Sequence, residues 1–195
     1  MKRQLTLQQY RNIDLFLFAV MLAIFEFLIV RFVTGSLYTL SLAAAITTIV
    51  SMRWGWWGAI HAALAGFLFC LYYGMAVGQV EPSDYLIYIV GNLFSLAAVA
   101  GLLRLGKERV RRSVLLSVAF GLAVVLLMQG GRMLVALTLG RPADRVVEYL
   151  IYDPLSVLFT VVVTWIVRRL DGVFEDQKHY LLRLQEERER NNTEQ

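Results

Sequence analysis

The sequence predicts an all-α, polytopic membrane protein with six transmembrane helices, both termini on the cytoplasmic side, and a charged amphipathic helix after the last crossing. Three observations carry that expectation. Apolar residues make up 58% of the 195-residue chain. Apolar runs of about 20 residues, the length that spans a bilayer core, recur along it. The basic residues gather in the gaps between alternate runs.

Breaks at charge, glycine and proline divide the apolar sequence into 13–32, 37–52, 55–74, 84–103, 113–139 and 146–167. The second stretch is short and the fifth long. The first runs to Arg31 with no small-residue cleavage pattern behind it, so it is expected to stay in the mature chain rather than act as a cleaved signal. Basic residues cluster at Lys2, Arg3 and Arg11, at Arg53, at Arg104, Lys107, Arg109, Arg111 and Arg112, and at Arg168 and Arg169. Six crossings place all four clusters on one side, and the positive-inside rule makes that side the cytoplasm of a bacterial plasma membrane. The other side holds a sparser, mixed set: Arg31, Glu81, Asp84, Arg141, Asp144 and Arg145. The net charge of +4 is therefore a topology signal, and the expected surroundings are a lipid bilayer rather than nucleic acid.

Residues 1–170 form the expected transmembrane domain and 171–195 a cytoplasmic tail, where the composition turns abruptly to charge. Leu170, Phe174, Gln177, Leu181 and Leu184 recur at spacings of four and three, one stripe on a helix leaving the membrane. That helix is either a solvated extension of the sixth span or a docking helix for a cytoplasmic partner. The single cysteine, Cys70, lies inside a span, which rules out a disulfide within the chain and reads as packing. His179 has no second ligand near it in sequence, so no metal is expected.

Depth within the spans sorts the polar residues. The outer halves collect Glu26, Tyr38, Tyr72, Tyr73, Tyr85, Tyr88, Asn92, Gln129, Arg132, Glu148, Tyr149, Tyr152 and Asp153, whereas the inner halves hold mainly His61 and scattered hydroxyls. Helical spacing places Asp84, Tyr88, Asn92 and Ser95 on one face of the fourth span. It places Tyr149, Asp153, Ser156 and Thr160 on one face of the sixth. Gln129 and Arg132 are neighbours on the fifth, with Gly130 and Gly131 between them to admit a close approach. An ionisable group at the centre of a span costs about 2.5 to 3.5 kcal/mol, so it faces a partner or a wet cavity.

Two readings follow. Arg132 is neutralised by Asp153 or Glu148 and ties two helices together, or these groups line an outward cavity roofed by the loops 34–36 and 81–83. The candidate substrate-binding residues are Tyr85, Tyr88, Asn92, Gln129, Arg132, Glu148, Tyr149, Asp153 and Glu26. Tyr38, Tyr72 and Tyr73 fit an interfacial aromatic belt. No HExxH, GxSxG or GxxxxGK[ST] pattern occurs, so no enzyme, no bound cofactor and no ATP hydrolysis are expected.

Small residues supply the remaining signal. Ala19 and Ala23 form a notch in the first span, and the third carries a longer row, Gly58, Ala62 and Gly66. Helices in lipid associate where such rows let backbones approach. The third-span row is expected to pack inside the bundle, while Ala19 and Ala23 suit either internal packing or docking of another protein.

With its size, six spans, the pattern Ala19-Val20-Met21-Leu22-Ala23 and an outward polar pocket, the chain resembles, over residues 11 to 170, the substrate-binding S components of energy-coupling factor transporters. The resemblance implies a helical bundle that captures a vitamin-like solute. It also implies that Ala19 and Ala23 dock on a transmembrane coupling subunit driven by two ABC ATPases. The charged tail departs from the usual short C-terminus of such subunits. The main alternative is a non-transporting scaffold similar to the rod-shape-determining membrane subunit. An autonomous ion-coupled carrier is disfavoured, because neither an internal repeat nor a broken pair of helices is visible in the sequence.

Overall fold

The computed structural model describes residues 6–33, 40–78, 80–151, 153–170 and 172–193. Tyr38, Tyr152 and the 34–36 loop lie outside the described residues. The described chain is helical throughout: α1 (Leu7–Phe32), α2 (Ala43–Trp54), α3 (Gly58–Val77), α4 (Pro82–Leu93), α5 (Leu96–Leu105), α6 (Lys107–Arg112), α7 (Val114–Thr138), α8 (Ala143–Ile151), α9 (Pro154–Val167) and α10 (Gln177–Thr193). Caps start several of them. Thr6 and Gln9 form a capping box on α1, Glu81 and Asp84 form another on α4 with Pro82 at its first position, and Ser113 accepts the Leu116 amide at the start of α7.

Five helical stretches among the described residues, rather than six, are long and apolar enough to cross a membrane. The difference lies at 43–77, where the second and third expected spans form one apolar stretch. α2 has only 12 residues and reaches about 18 Å at about 1.5 Å per residue, too short to count alone. The stretch is nevertheless bent back on itself. Gly55 adopts φ +64°, which side chains disfavour, and a single 3₁₀ turn over Gly55–Trp57 reverses the chain. α2 therefore descends beside α1 from Glu26, which meets Ser41, to Asp14, which meets Arg53. α3 climbs back from Leu15, whose carbonyl accepts the His61 ring nitrogen at 3.0 Å, to Phe27, whose ring lies 5.5 Å from that of Tyr72.

Two further stretches are broken, contrary to the unbroken helices expected from sequence. Between α4 and α5 the backbone tightens to three-residue hydrogen bonds, Phe94 to Gly91 and Ser95 to Asn92. Between α8 and α9 Pro154 has no amide to continue the ladder, and Asp153 sits at the break.

The long helix α7 is central, packing against α2, α4, α8 and α9. Its crossing with α4 brings backbone onto backbone: a Cβ added to Gly91 would lie 2.6 Å from the Arg132 Cα. The expected third-span row behaves in the same way, with Gly66 against the Tyr88 backbone and Gly58 against Ser51. Leu22, Val50, Met52, Ala62, Val124 and Met128 fill the core between these helices.

The tail differs from a continuing helix. α9 ends at Val167, Gly172 turns the chain at φ +72°, and Phe174 inserts its ring fully into the core. Residues 172–177 therefore belong to the bundle, and α10 starts afresh at Gln177. Phe174 and Gln177 are buried while Leu170 is exposed, so the expected stripe is not a single helical face.

Candidate functional site

The close α4–α7 crossing fixes Arg132 against Tyr88 and Asn92. The Arg132 guanidinium lies 4.7 Å from the centre of the Tyr88 ring, and its Nε donates to Asn92 Oδ1 at 2.9 Å. Asn92 passes the chain of bonds on, its Nδ2 donating to the Ala62 carbonyl at 3.0 Å. From the other side, Asp153 Oδ2 accepts from Arg132 Nη1 at 3.4 Å and from Gln129 Nε2 at 3.3 Å. Behind them, the Ser41 amide donates to Ser156 Oγ at 2.8 Å and the Ser41 hydroxyl donates to Glu26 Oε1. Glu26, Ser41, Asn92, Gln129, Arg132, Asp153 and Ser156 are all buried.

The network is incomplete. Glu26 Oε2, Gln129 Oε1 and Asp153 Oδ1 have no hydrogen-bond partner among the described residues. A buried acceptor left in that state costs about 1 to 3 kcal/mol, so a further partner at any of the three would be stabilising.

Above the network opens a cavity of about 790 Å³ between α3, α4, α7 and α8, within the range of small-molecule sites. Arg132, Asp153 and Tyr88 form its floor. Its wall is aromatic: Phe69 stacks on Tyr88 at 4.8 Å and on Tyr73 at 5.7 Å, and Tyr149 meets Tyr88 edge-on at 5.8 Å. Across the mouth, Arg141 Nη2 donates to Glu81 Oε2, Ser83 Oγ and Asp84 Oδ1 at 2.8 to 2.9 Å, joining the 139–142 loop to the start of α4. Desolvation works against the Arg141 charge, but Asp84 and Glu81 outweigh it and hold the guanidinium pKa above its ordinary value. Among the described residues the carboxylates of Glu81, Asp84, Glu148 and Asp153 and the guanidiniums of Arg132 and Arg141 line the cavity.

The structure divides the candidate residues into two layers. Tyr88, Arg132, Glu148, Tyr149 and Asp153 line the cavity. Asn92 and Gln129 lie behind the floor, where they hold Arg132 and Asp153, and Glu26 lies deeper on α1, joined through Ser41. Tyr85 is outside both layers, its ring 5.8 Å from Phe67. Tyr73, read as a belt residue, lines the cavity, whereas Tyr72 pairs with Phe27 on another face. Sequence reasoning missed the α3 wall. Phe69 and Tyr73 stand four apart and mark one face, but that signal was absorbed by the third span's small-residue row. Ala19 is half-buried, and Ala23 packs against the core beside Leu22.

Fold and site together define a helical membrane protein with several apolar helices and a polar cavity at one end. No protein-family model matches the sequence, and no curated protein or solved structure is detectably similar to it.

Proposed function

We propose that the chain is the solute-binding membrane subunit of an importer, of the kind formed by the S components of energy-coupling factor transporters. In this reading the bundle crosses the membrane six times, α2 and α3 being separate crossings, with both termini inside. The observation that carries it is the aromatic cavity floored by Arg132 and Asp153. Sidedness supports it: Arg53, Lys107 and Arg111 gather with the tail at the end opposite the cavity, which by the positive-inside rule faces the cavity outward. The stacked rings and the carboxylates beside them suit a small ring-bearing solute with a basic group, oriented by Arg132 through any acidic group it carries. Energy would come from a coupling subunit and two ABC ATPases, docked along the partly open side of the Ala19–Ala23 groove.

Mass spectrometry of small molecules retained by the purified protein tests the reading first. A retained solute should raise the melting temperature of the wild type and not of Arg132→Ala. Ala19→Leu should prevent co-purification with a coupling subunit while solute binding survives.

A scaffold reading has one observation in its favour: residues 172–177 are locked onto the end opposite the cavity through Arg53, Lys107 and Arg111. It is preferred if the purified protein retains no solute and co-purifies with cell-shape factors.

A further inference from the structure

We propose that a small monovalent cation, of the sodium class, binds beneath the cavity floor, held by oxygens of Glu26, Gln129 and Asp153. The site lies beneath the solute cavity and shares Asp153 with its floor, and the proposal does not depend on which solute that cavity takes.

Most donors here are committed: the Ser41 hydroxyl to Glu26 Oε1, the Gln129 amide nitrogen to Asp153 Oδ2, and Arg132 Nε and Nη1 to Asn92 and Asp153. What remains is Glu26 Oε2, Gln129 Oε1 and Asp153 Oδ1, three acceptors on residues no more than 5% exposed. The Gln129 orientation is fixed by Asp153, because the flipped amide would set two acceptors face to face. Ser41 and Ser156 oxygens lie in the same chain of contacts and bring further lone pairs.

Charge points the same way. Among the described residues two carboxylates, Glu26 and Asp153, share one buried guanidinium, Arg132, so when both are ionised one negative charge lacks a counter-ion. A cation satisfies several oxygens at once and cancels that charge, which a water molecule with two hydrogens cannot do.

The ligand set selects the ion. Carboxylate, amide and hydroxyl oxygens are hard donors that suit alkali and alkaline-earth ions over transition metals. Among the described residues no three His, Cys, Asp or Glu gather as a divalent site would require. Calcium takes six to eight oxygens and several charged ligands, so a single excess charge fits a monovalent ion. The cluster also adjoins the α8–α9 break, and transporters place their coupling cations at such interruptions, where the C-terminal end of a half-helix is negative. A cation there would fix Asp153 and Gln129, and with them the partner of Arg132 at the cavity floor.

The test uses full-length protein purified in detergent and exchanged into choline chloride. Binding of ²²Na⁺ is measured by equilibrium dialysis, and melting temperature is followed as sodium replaces choline at constant ionic strength. The wild type should bind sodium saturably at one per chain and gain stability as it does. Glu26→Gln should weaken binding at least about tenfold, as loss of a charged ligand does, while melting no lower than the wild type in choline. Gln129→Met should weaken binding severalfold, and serves as the second variant should Glu26→Gln not fold. Absence of saturable sodium binding by the wild type overturns the proposal, as does binding unchanged in both variants. A melting temperature that follows pH but not sodium, with the pH response lost in Glu26→Gln, also overturns it, since a proton then meets the charge.

Discussion

Two arginines, each 6% exposed, stand at opposite ends of the bundle and are treated in opposite ways. At the end where the tail docks Arg53 is saturated. Its Nε and Nη2 grip Asp14 in a fork at 2.8 and 2.7 Å, its Nη1 donates to the Gly172 and Val173 carbonyls, and its guanidinium lies 5.4 Å from the Phe18 ring centre. Trp54 completes the cluster, donating to Asp14 at 2.6 Å. At the cavity end Arg132 has one good bond to Asn92 and one long contact of 3.4 Å to Asp153, and its Nη2 has no partner among the described residues. A buried guanidinium with all its nitrogens bonded is a fastening. One left short beside a cavity has capacity for something else.

The sharpest way to break this comparison is to remove the fastening. Arg53→Met leaves the half-buried Asp14 without its guanidinium and releases the 172–173 carbonyls, and loss of one partner from a largely buried pair costs about 3 to 5 kcal/mol. The variant should lose most of its thermal stability, and residues 172–177 should become open to protease in inside-out vesicles. If it melts with the wild type, Arg53 is not what holds the tail.

Arg132→Ala should be milder, about 1 to 3 kcal/mol, because it forfeits one full hydrogen bond and one long contact, and Asp153 keeps its Gln129 bond and borders the cavity, where water can reach it. Its main effect falls on ligand-induced stabilisation. A ligand-free melting temperature lowered as far as by Arg53→Met would make Arg132 a second fastening and remove the contrast.

Gly91→Ala comes next and separates geometry from chemistry. The added methyl would press on the Arg132 backbone and side chain, and overpacking of this kind costs about 1 to 3 kcal/mol. It leaves every charged group in place while shifting the floor, so solute binding should weaken although Arg132 is present. Unaltered binding would show that the α4–α7 crossing does not set the floor.

How much of this was legible in the sequence follows from the kind of signal involved. Hydropathy and basic clusters are local, and they marked the apolar helices and set the polar residues of one end apart from the basic clusters of the other. Tyr88 and Arg132, and likewise Tyr149 and Asp153, were singled out because depth along a helix can be counted. What could not be counted was the partner across a helix crossing. Nothing local says that Phe69 and Tyr73 turn toward α4 rather than lipid, that Ser41 reaches Glu26, or that Arg141 spans the mouth to Glu81 and Asp84. The breaks were half-visible. Pro154 was in plain sight but was outweighed by the apolar run around it, while the tightening at Phe94 and Ser95 has no proline to announce it.

The smallest effect is expected at the mouth, where the comparison with Arg53 is sharpest in character. Arg141 also meets several acceptors, but one nitrogen serves all three, and its side chain is 26% exposed. Water and salt compete there, and such exposed pairs are worth about 0.2 to 1 kcal/mol. Arg141→Ala should therefore hardly move the melting temperature. Its consequence is kinetic, since the link between the 139–142 loop and α4 is cut and the cavity opens more often. Cys70, the sole cysteine of the chain, lines that cavity and reports on it. In intact cells a membrane-impermeant maleimide should modify Cys70 severalfold faster in Arg141→Ala than in the wild type, and raising salt should speed the wild type toward the variant. Equal rates would mean that Arg141 does not close the mouth, and labelling confined to inside-out vesicles would turn the cavity toward the cytoplasm.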